Sequence, residues 1–258
     1  MLDLGDRMLE WPRWIFDQPG PLAKRREPMQ AEFFRNVDTI KDARQALLRE
    51  AIQNVLDQPA NQGAAVSVRI ALSGMTSALD SASASKYLGS LWPHASQIEH
   101  AQFDADAPCE YMVIEDFGTT GLRGDPEQMS KPGPNEAGEF YHFIRAEGRS
   151  PKRAGQAGRR GVGKITIPMS SGVFSFFALT CRENDDYDLG QGLLMGCATM
   201  MYHDVNGAEY EPDGWWGIRR SEEAPVIPFT DVDFIQEFMG YSFTNSYQGA
   251  GTCPSPWR

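Results

Sequence analysis

One glycine-rich segment near the middle of the chain restricts its fold more than any other feature. The sequence GRRGVGK at 158–164 fits two patterns, G-x-x-x-x-G-K and G-x-x-G-x-G. Both describe loops whose backbone N–H groups bind phosphate at the start of a helix. The first pattern, the P-loop, needs a hydrophobic strand before it and Ser or Thr directly after the lysine. Residues 147–157 are polar, and Ile165 follows the lysine with Thr166 one place late, so the second pattern is favoured.

A polar stripe follows one side of the helix that is predicted upstream of this loop. The segment from Ile40 to Asp57 has apolar residues at the i, i+3/i+4, i+7 spacing of a helix with one buried face. Glu50, Asn54 and Asp57 stand at i, i+4 and i+7, so their side chains lie along the same side. By itself such a set is usually a solvated helix face.

A short apolar strand from Tyr111 to Glu115 leads into a third motif. It is followed by DFGTTG at 116–121, an acidic residue and a turn that contains two glycines. A single D-x-G after a strand is most often a turn. Each motif alone is a weak indication of function. The helix, the strand with its turn and the glycine-rich loop become specific because they occur together in this order.

These three motifs together resemble the GHKL ATPases, a superfamily that comprises the gyrase B subunit, the ninety-kilodalton heat-shock chaperones, the sensor histidine kinases, MutL and the MORC proteins. The resemblance covers roughly residues 31–180, with a weaker continuation to 252. It is greatest to prokaryotic chaperone-like and MORC-like ATPases. One departure is that the family's D-x-G-x-G has its second glycine one residue late here, at Gly121.

The resemblance implies an α/β two-layer sandwich, the Bergerat ATP-binding fold, in which a mixed, mostly antiparallel sheet has helices on one face. It implies a single ATP-binding domain over residues 1–258, with a core at about 31–252 and a mobile, partly basic lid at about 123–157. In the hydrolysing families a C-terminal transducer domain follows and reaches the terminal phosphate with a lysine. We expect that domain to be missing, since few residues follow Met239.

The resemblance also assigns roles to individual residues. Glu50 would be the general base that orients and deprotonates the attacking water, and Asn54 would bind Mg²⁺ through its amide oxygen. Asp116 would be a buried carboxylate that accepts a hydrogen bond from the adenine amine. The other residues expected to contact ATP are Asp57, Gly118, Gly121, Gly158, Arg160, Gly161, Val162, Gly163, Lys164 and Thr252.

Composition limits the other functional classes. The formal net charge of −11 argues against a broad nucleic-acid surface, so direct DNA binding by this chain is not expected. The sequence has no apolar run of membrane-spanning length and does not start like a signal peptide. Its four cysteines are widely spaced and its four histidines show no paired ligand spacing, so we expect a cytoplasmic protein without a zinc site.

Several further elements are predicted from local patterns. They are a strand at 66–72 with its apolar side buried, a Ser/Ala-rich helical surface insertion at 77–98, a short helix at 139–146, an antiparallel hairpin of strands at 173–180 and 193–202, and a short helix at 231–239.

Two functions stay open at this point. In the first, the protein binds and hydrolyses ATP with Mg²⁺, forms a homodimer on ATP binding and controls an effector protein from the same operon, as in anti-phage defence or restriction. Glu50 favours hydrolysis, because the sensor kinases of the superfamily lack a general base on this helix. In the second, the chain is a non-hydrolysing nucleotide-sensing module that scaffolds a complex.

Overall fold

A computed structural model describes residues 11–24, 43–60, 65–99, 101–102, 104–146, 163–182 and 192–241. Within these ranges the strands are β1 (Arg13–Phe16), β2 (Ser67–Leu72), β3 (Met112–Phe117), β4 (Ser175–Thr180), β5 (Leu193–Thr199), β6 (His203–Val205), β7 (Ala208–Tyr210) and β8 (Asp213–Gly217). The helices are α1 (Ala43–Leu56), α2 (Ser81–Leu88), α3 (Trp92–Ala95), α4 (Gly163–Met169) and α5 (Val232–Gly240), with a 3₁₀ turn at Met75–Ser77 and one π-helical turn at Tyr141–Arg145. The protein is a mixed α/β structure with antiparallel sheets.

The largest sheet has four strands in the order β1-β8-β5-β4, and every pair in it is antiparallel. Its β4–β5 pair runs in register from Ser175 opposite Ala198 to Thr180 opposite Leu193, which confirms the predicted hairpin. The first strand, β1, forms the other edge, where Trp14 lies opposite Trp216. The N-terminal strand therefore pairs with a strand about two hundred residues later in the chain.

One face of this sheet forms the main core against α2, α3 and α5. Alternation along the strands places Trp14, Leu194 and Trp216 on this face. Ala95 of α3 and Leu91, the residue directly before α3, belong to this core and are each 0% exposed. The prediction that residues 77–98 form a surface insertion is therefore wrong. The apolar residues of the segment form a buried stripe. This stripe is hard to recognise in the sequence because serines and alanines are so frequent there.

The opposite face of the same sheet is also covered. Met195 and Cys197 of β5 pack there with Phe140 and Ile144, which belong to the segment that ends in the π-helical turn. Both faces of this sheet are thus buried, whereas the resemblance implied helices on one face only. The difference arises because residues 122–146 carry enough apolar side chains to pack onto the sheet.

A separate two-stranded ribbon is formed by β2 and β3, with Ile70 opposite Ile114. The side of β2 that was predicted to be buried is the exposed one, since Ile70 and Leu72 are 40% and 72% exposed. Met112, opposite Leu72, is 39% exposed on the same side. Alternation identifies a strand correctly, but it cannot show whether another element covers the apolar side.

Two histidines join α3 to β6 beside β1. The Met201 carbonyl oxygen can only accept, so His203 Nδ1 (2.9 Å away) carries a proton, and His203 Nε2 accepts from His94 Nδ1 at 2.8 Å. Phe16 stacks on His94 with ring centroids 4.1 Å apart. Burial is the main cause that lowers the pKa of His94 to about 4, with the neighbouring His203 second. Burial likewise lowers the pKa of His203, although Asp204 opposes the shift.

Because His94 and His203 are buried with lowered pKa values, we expect the protein to lose stability on acidification. An unfolded histidine binds a proton below pH ~6.5, whereas folded His94 excludes it down to about pH 4, so stability is lost as the pH falls through this window. The loss from His94 should be on the order of 2–3 kcal/mol. Urea unfolding between about pH 7 and 5, above the range of most carboxylates, measures the part of this loss that falls above pH 5. His94→Phe, which keeps a ring on Phe16, should flatten the pH dependence, and an unchanged profile in this variant would contradict the assignment.

Candidate functional site

Helix α1 carries the polar stripe that the sequence predicts. Leu47 and Val55 are buried on one side of the helix, while Glu50 and Asn54 are half-buried. Asp57 follows the last helical residue, and its N–H donates to the Gln53 carbonyl oxygen at 3.0 Å, so the last turn of the helix extends to it. The three candidate residues therefore stand on one continuous helical stretch, as predicted.

The end of α1 is joined by hydrogen bonds to the turn that follows β3. The Ala60 N–H donates to the Gly118 carbonyl oxygen at 2.8 Å, and the Thr120 N–H donates to the Gln58 carbonyl oxygen at 3.1 Å. Pro59 and Thr119 form an antiparallel bridge between these two bonds. Two motifs far apart in the sequence are thus neighbours in the fold.

Asp116 lies at the end of β3, opposite Val68 of β2. Its side of the ribbon is the exposed apolar one, which also carries Ile70 and Ile114. The carboxylate is exposed, which differs from the buried position that the resemblance implied. The Thr119 hydroxyl donates to Asp116 Oδ1 at 2.7 Å. Thr119 is not among the site residues expected from the sequence, although a hydroxyl three residues after an Asp in a turn is a recognisable local pattern.

Both glycines of this turn are required by the backbone. Gly118 has φ +76°, and a Cβ there would lie 2.5 Å from the Ala65 carbonyl oxygen. Gly121 has φ +67°, and its Cβ would lie 2.5 Å from the Cys181 carbonyl oxygen. These are conformations and distances that side chains rarely tolerate. Gly121 is the point at which the turn meets the end of β4, and its late position relative to the family pattern therefore has a structural reason.

The third motif is only partly within the described residues. Helix α4 begins at Gly163 and includes the backbone of Lys164, and it packs against α1. The packing places α4 against the same helix that carries Glu50 and Asn54. The other predicted contacts of this group, Gly158, Arg160, Gly161, Val162 and Thr252, lie outside the described residues.

Most of the predicted lid packs onto the protein. In the range 123–146, Phe140 is buried against the face of the four-stranded sheet that lies opposite the main core. Arg123 forms an ion pair with Glu139 at 2.7 Å. The Arg145 guanidinium donates to the carbonyl oxygens of Val226 and, at 3.3 Å, Pro126, and burial lowers its pKa. Residues 147–157 lie outside the described residues. The expected mobile lid is therefore not found in residues 123–146, which pack onto the protein.

The described part of the chain contains no helix with the length and apolar character needed to cross a membrane. Nor does it bring three or more His, Cys, Asp or Glu side chains together in a way that could hold a metal ion.

Comparisons with family models, with curated proteins and with solved structures give no significant match. The resemblance to GHKL ATPases therefore comes from the sequence motifs alone.

Proposed function

We propose that the chain is an ATP-binding domain of a Mg²⁺-dependent ATPase of the GHKL type, with the nucleotide at the junction of α1, the ribbon and α4. The observation that carries this proposal is the hydrogen-bonded contact between the end of α1 and the turn after Asp116. It brings the ExxxNxxD helix and the D-x-G turn together, while α4, which starts at the last glycine of G-x-x-G-x-G, packs on the same helix.

The surface beside Asp116 suits an adenine ring. The exposed Ile70 and Met112 and the half-buried Ile114 form an apolar side of the ribbon that ends in one carboxylate. Adenine is flat and largely apolar, and its exocyclic amine is a hydrogen-bond donor for which a carboxylate is the matching acceptor. Binding of the base would cover apolar side chains that are otherwise in contact with water.

The spacing on α1 suits the triphosphate end of the same ligand. Glu50 and Asn54 are one turn apart, about 6 Å along the helix axis, so groups on one bound nucleotide can reach both. Asn54 supplies an amide oxygen of the kind that Mg²⁺ prefers, and the ion would offset the phosphate charge. Glu50 is then placed to accept a proton from a water molecule that attacks the terminal phosphate.

The wider role follows from the resemblance alone. We propose that ATP binding promotes a homodimer and that the dimer controls an effector protein, as in anti-phage or restriction systems. A non-hydrolysing nucleotide-sensing scaffold is the alternative, and it shares the binding site but not the role of Glu50.

Replacing Asp116 tests the proposed site. Asp116→Ala should weaken ATP binding by about tenfold or more, because the amine of the bound base loses its acceptor and stays desolvated. Isothermal titration calorimetry with a non-hydrolysable ATP analogue measures the change, and circular dichroism verifies that the variant is folded. Glu110→Ala is the matched control, since it removes the same charge from an exposed residue just before β3. Equal affinities for the wild type and a folded Asp116→Ala protein would show that the site lies elsewhere.

A further inference from the structure

The Asp116 carboxylate is held at one oxygen only. Thr119 Oγ1 donates to Oδ1 at 2.7 Å, and among the described residues Oδ2 has no hydrogen-bond partner. A hydroxyl carries a single proton, and an ionised carboxylate accepts at both oxygens. The contact therefore leaves one acceptor available at the end of the apolar side of the ribbon.

Thr119 is itself fixed by its backbone. Its bridge to Pro59 ties it to the end of α1, and the flanking bonds of Gly118 and Thr120 hold the chain on both sides. The positive φ of Gly118 turns the chain so that residue 119 comes back toward residue 116. A hydroxyl on this anchored backbone restricts rotation of the Asp116 carboxylate.

We infer that Thr119 is a positioning residue that orients Asp116 Oδ2 toward the exocyclic amine of the base and so contributes to selection of adenine over purines without that amine. The inference depends on the proposed nucleotide site. Guanine carries a carbonyl oxygen at the corresponding ring position, and that acceptor would face the carboxylate without a proton between them.

A purely structural role for Thr119 predicts a different pattern. If the hydroxyl only closed the turn, its loss would weaken all nucleotides to a similar extent, since all would meet the same loosened turn. If it orients Oδ2, its loss affects only ligands with a donor at that point. Unsubstituted purine riboside triphosphate, which lacks the amine, separates the two roles.

The test compares Thr119→Val, which removes the hydroxyl at nearly constant shape, with Thr119→Ser, which keeps it. Titration calorimetry should show Thr119→Val weakening a non-hydrolysable ATP analogue about fivefold to tenfold. Binding of purine riboside triphosphate should change by less than about twofold. Thr119→Ser should restore most of the ATP affinity. Thermal unfolding verifies that each variant is folded.

The outcomes separate this inference from the proposed function. Equal weakening of both ligands, or unchanged ATP binding in Thr119→Val while Asp116→Ala loses it, would overturn the positioning role and leave the ATP site in place. Unchanged ATP binding in both Thr119→Val and folded Asp116→Ala would overturn both. A selective loss for ATP, with rescue by Ser, supports both.

Discussion

Glu50→Ala should lower ATP hydrolysis by roughly 10²–10⁴-fold, the span expected for removal of a general base. Binding of ATP should change little, since Glu50 is assigned to the attacking water and Asn54 to the metal ion. Glu50 is half-buried on α1, one turn before Asn54. Steady-state phosphate release and calorimetric ATP titration on the same preparations measure the two quantities separately.

Two further variants make this experiment specific. Glu50→Gln keeps the shape of the side chain and should lose turnover nearly as completely, because an amide cannot accept the proton. Arg49→Ala changes the neighbouring exposed residue of the same helix and should retain activity. Wild-type turnover in the Glu50 variants would place the base elsewhere, with Asp57 as the next candidate. Tight ATP binding by the wild type without turnover, with partners added, would favour the scaffold alternative.

Trp216→Ala should cause the largest loss of stability, about 3–5 kcal/mol. The Trp216 side chain is 1% exposed, and its ring contacts those of Phe177, Phe229 and Phe234 at centroid distances of 5.3, 6.1 and 5.7 Å. Its side chain extends from β8 of the four-stranded sheet to Phe234 of α5. Truncation therefore leaves a cavity between the sheet and this helix. A loss of this size is a large fraction of the stability of an ordinary domain.

Trp11→Ala is the matched control for that prediction. Trp11 also contacts Phe229 and Phe234, but it is 56% exposed, so its removal leaves little cavity and should cost much less. Urea unfolding followed by circular dichroism gives the free energy of unfolding of each variant. Similar losses for the two tryptophans would show that the main core is not where the structure places it.

The elements that the sequence predicts well are those with a clear local period. The β4–β5 hairpin and α5, which starts after its N-cap Asp231, are confirmed with small shifts in their ends. Helix α1 is confirmed from Ala43 onward. These elements are predictable because the alternation or the helical spacing of the residues is visible in the chain itself.

Burial was predicted less well, because it depends on which distant elements meet. Leu91 and Ala95 belong to a segment that was expected on the surface, yet they are buried in one core cluster with residues of β1, β5 and β8. Leu72 was expected inside and is exposed. No local pattern reports what packs on a strand or a helix from far along the sequence.

In the candidate site, too, local features were predictable from the sequence and long-range contacts were not. The residue types and their order could be predicted through the resemblance, and α1 presents Glu50, Asn54 and Asp57 as expected. The bridge between Pro59 and Thr119, and the bond from Thr119 to Asp116, arise from long-range strand contacts and a turn. They could not be derived from the spacing of the motifs.

The proposed ATP site is tested most directly by hydrogen exchange of the whole chain with and without a non-hydrolysable ATP analogue and Mg²⁺. We expect slower exchange at residues 50–60 and at residues 112–121 together, because one ligand would cover both sides of the junction. The β6–β7 hairpin, which packs on α3 through His203 and His94, should not change. Unchanged exchange in both segments at saturating analogue, or protection confined to other parts of the chain, would contradict an ATP site at this junction.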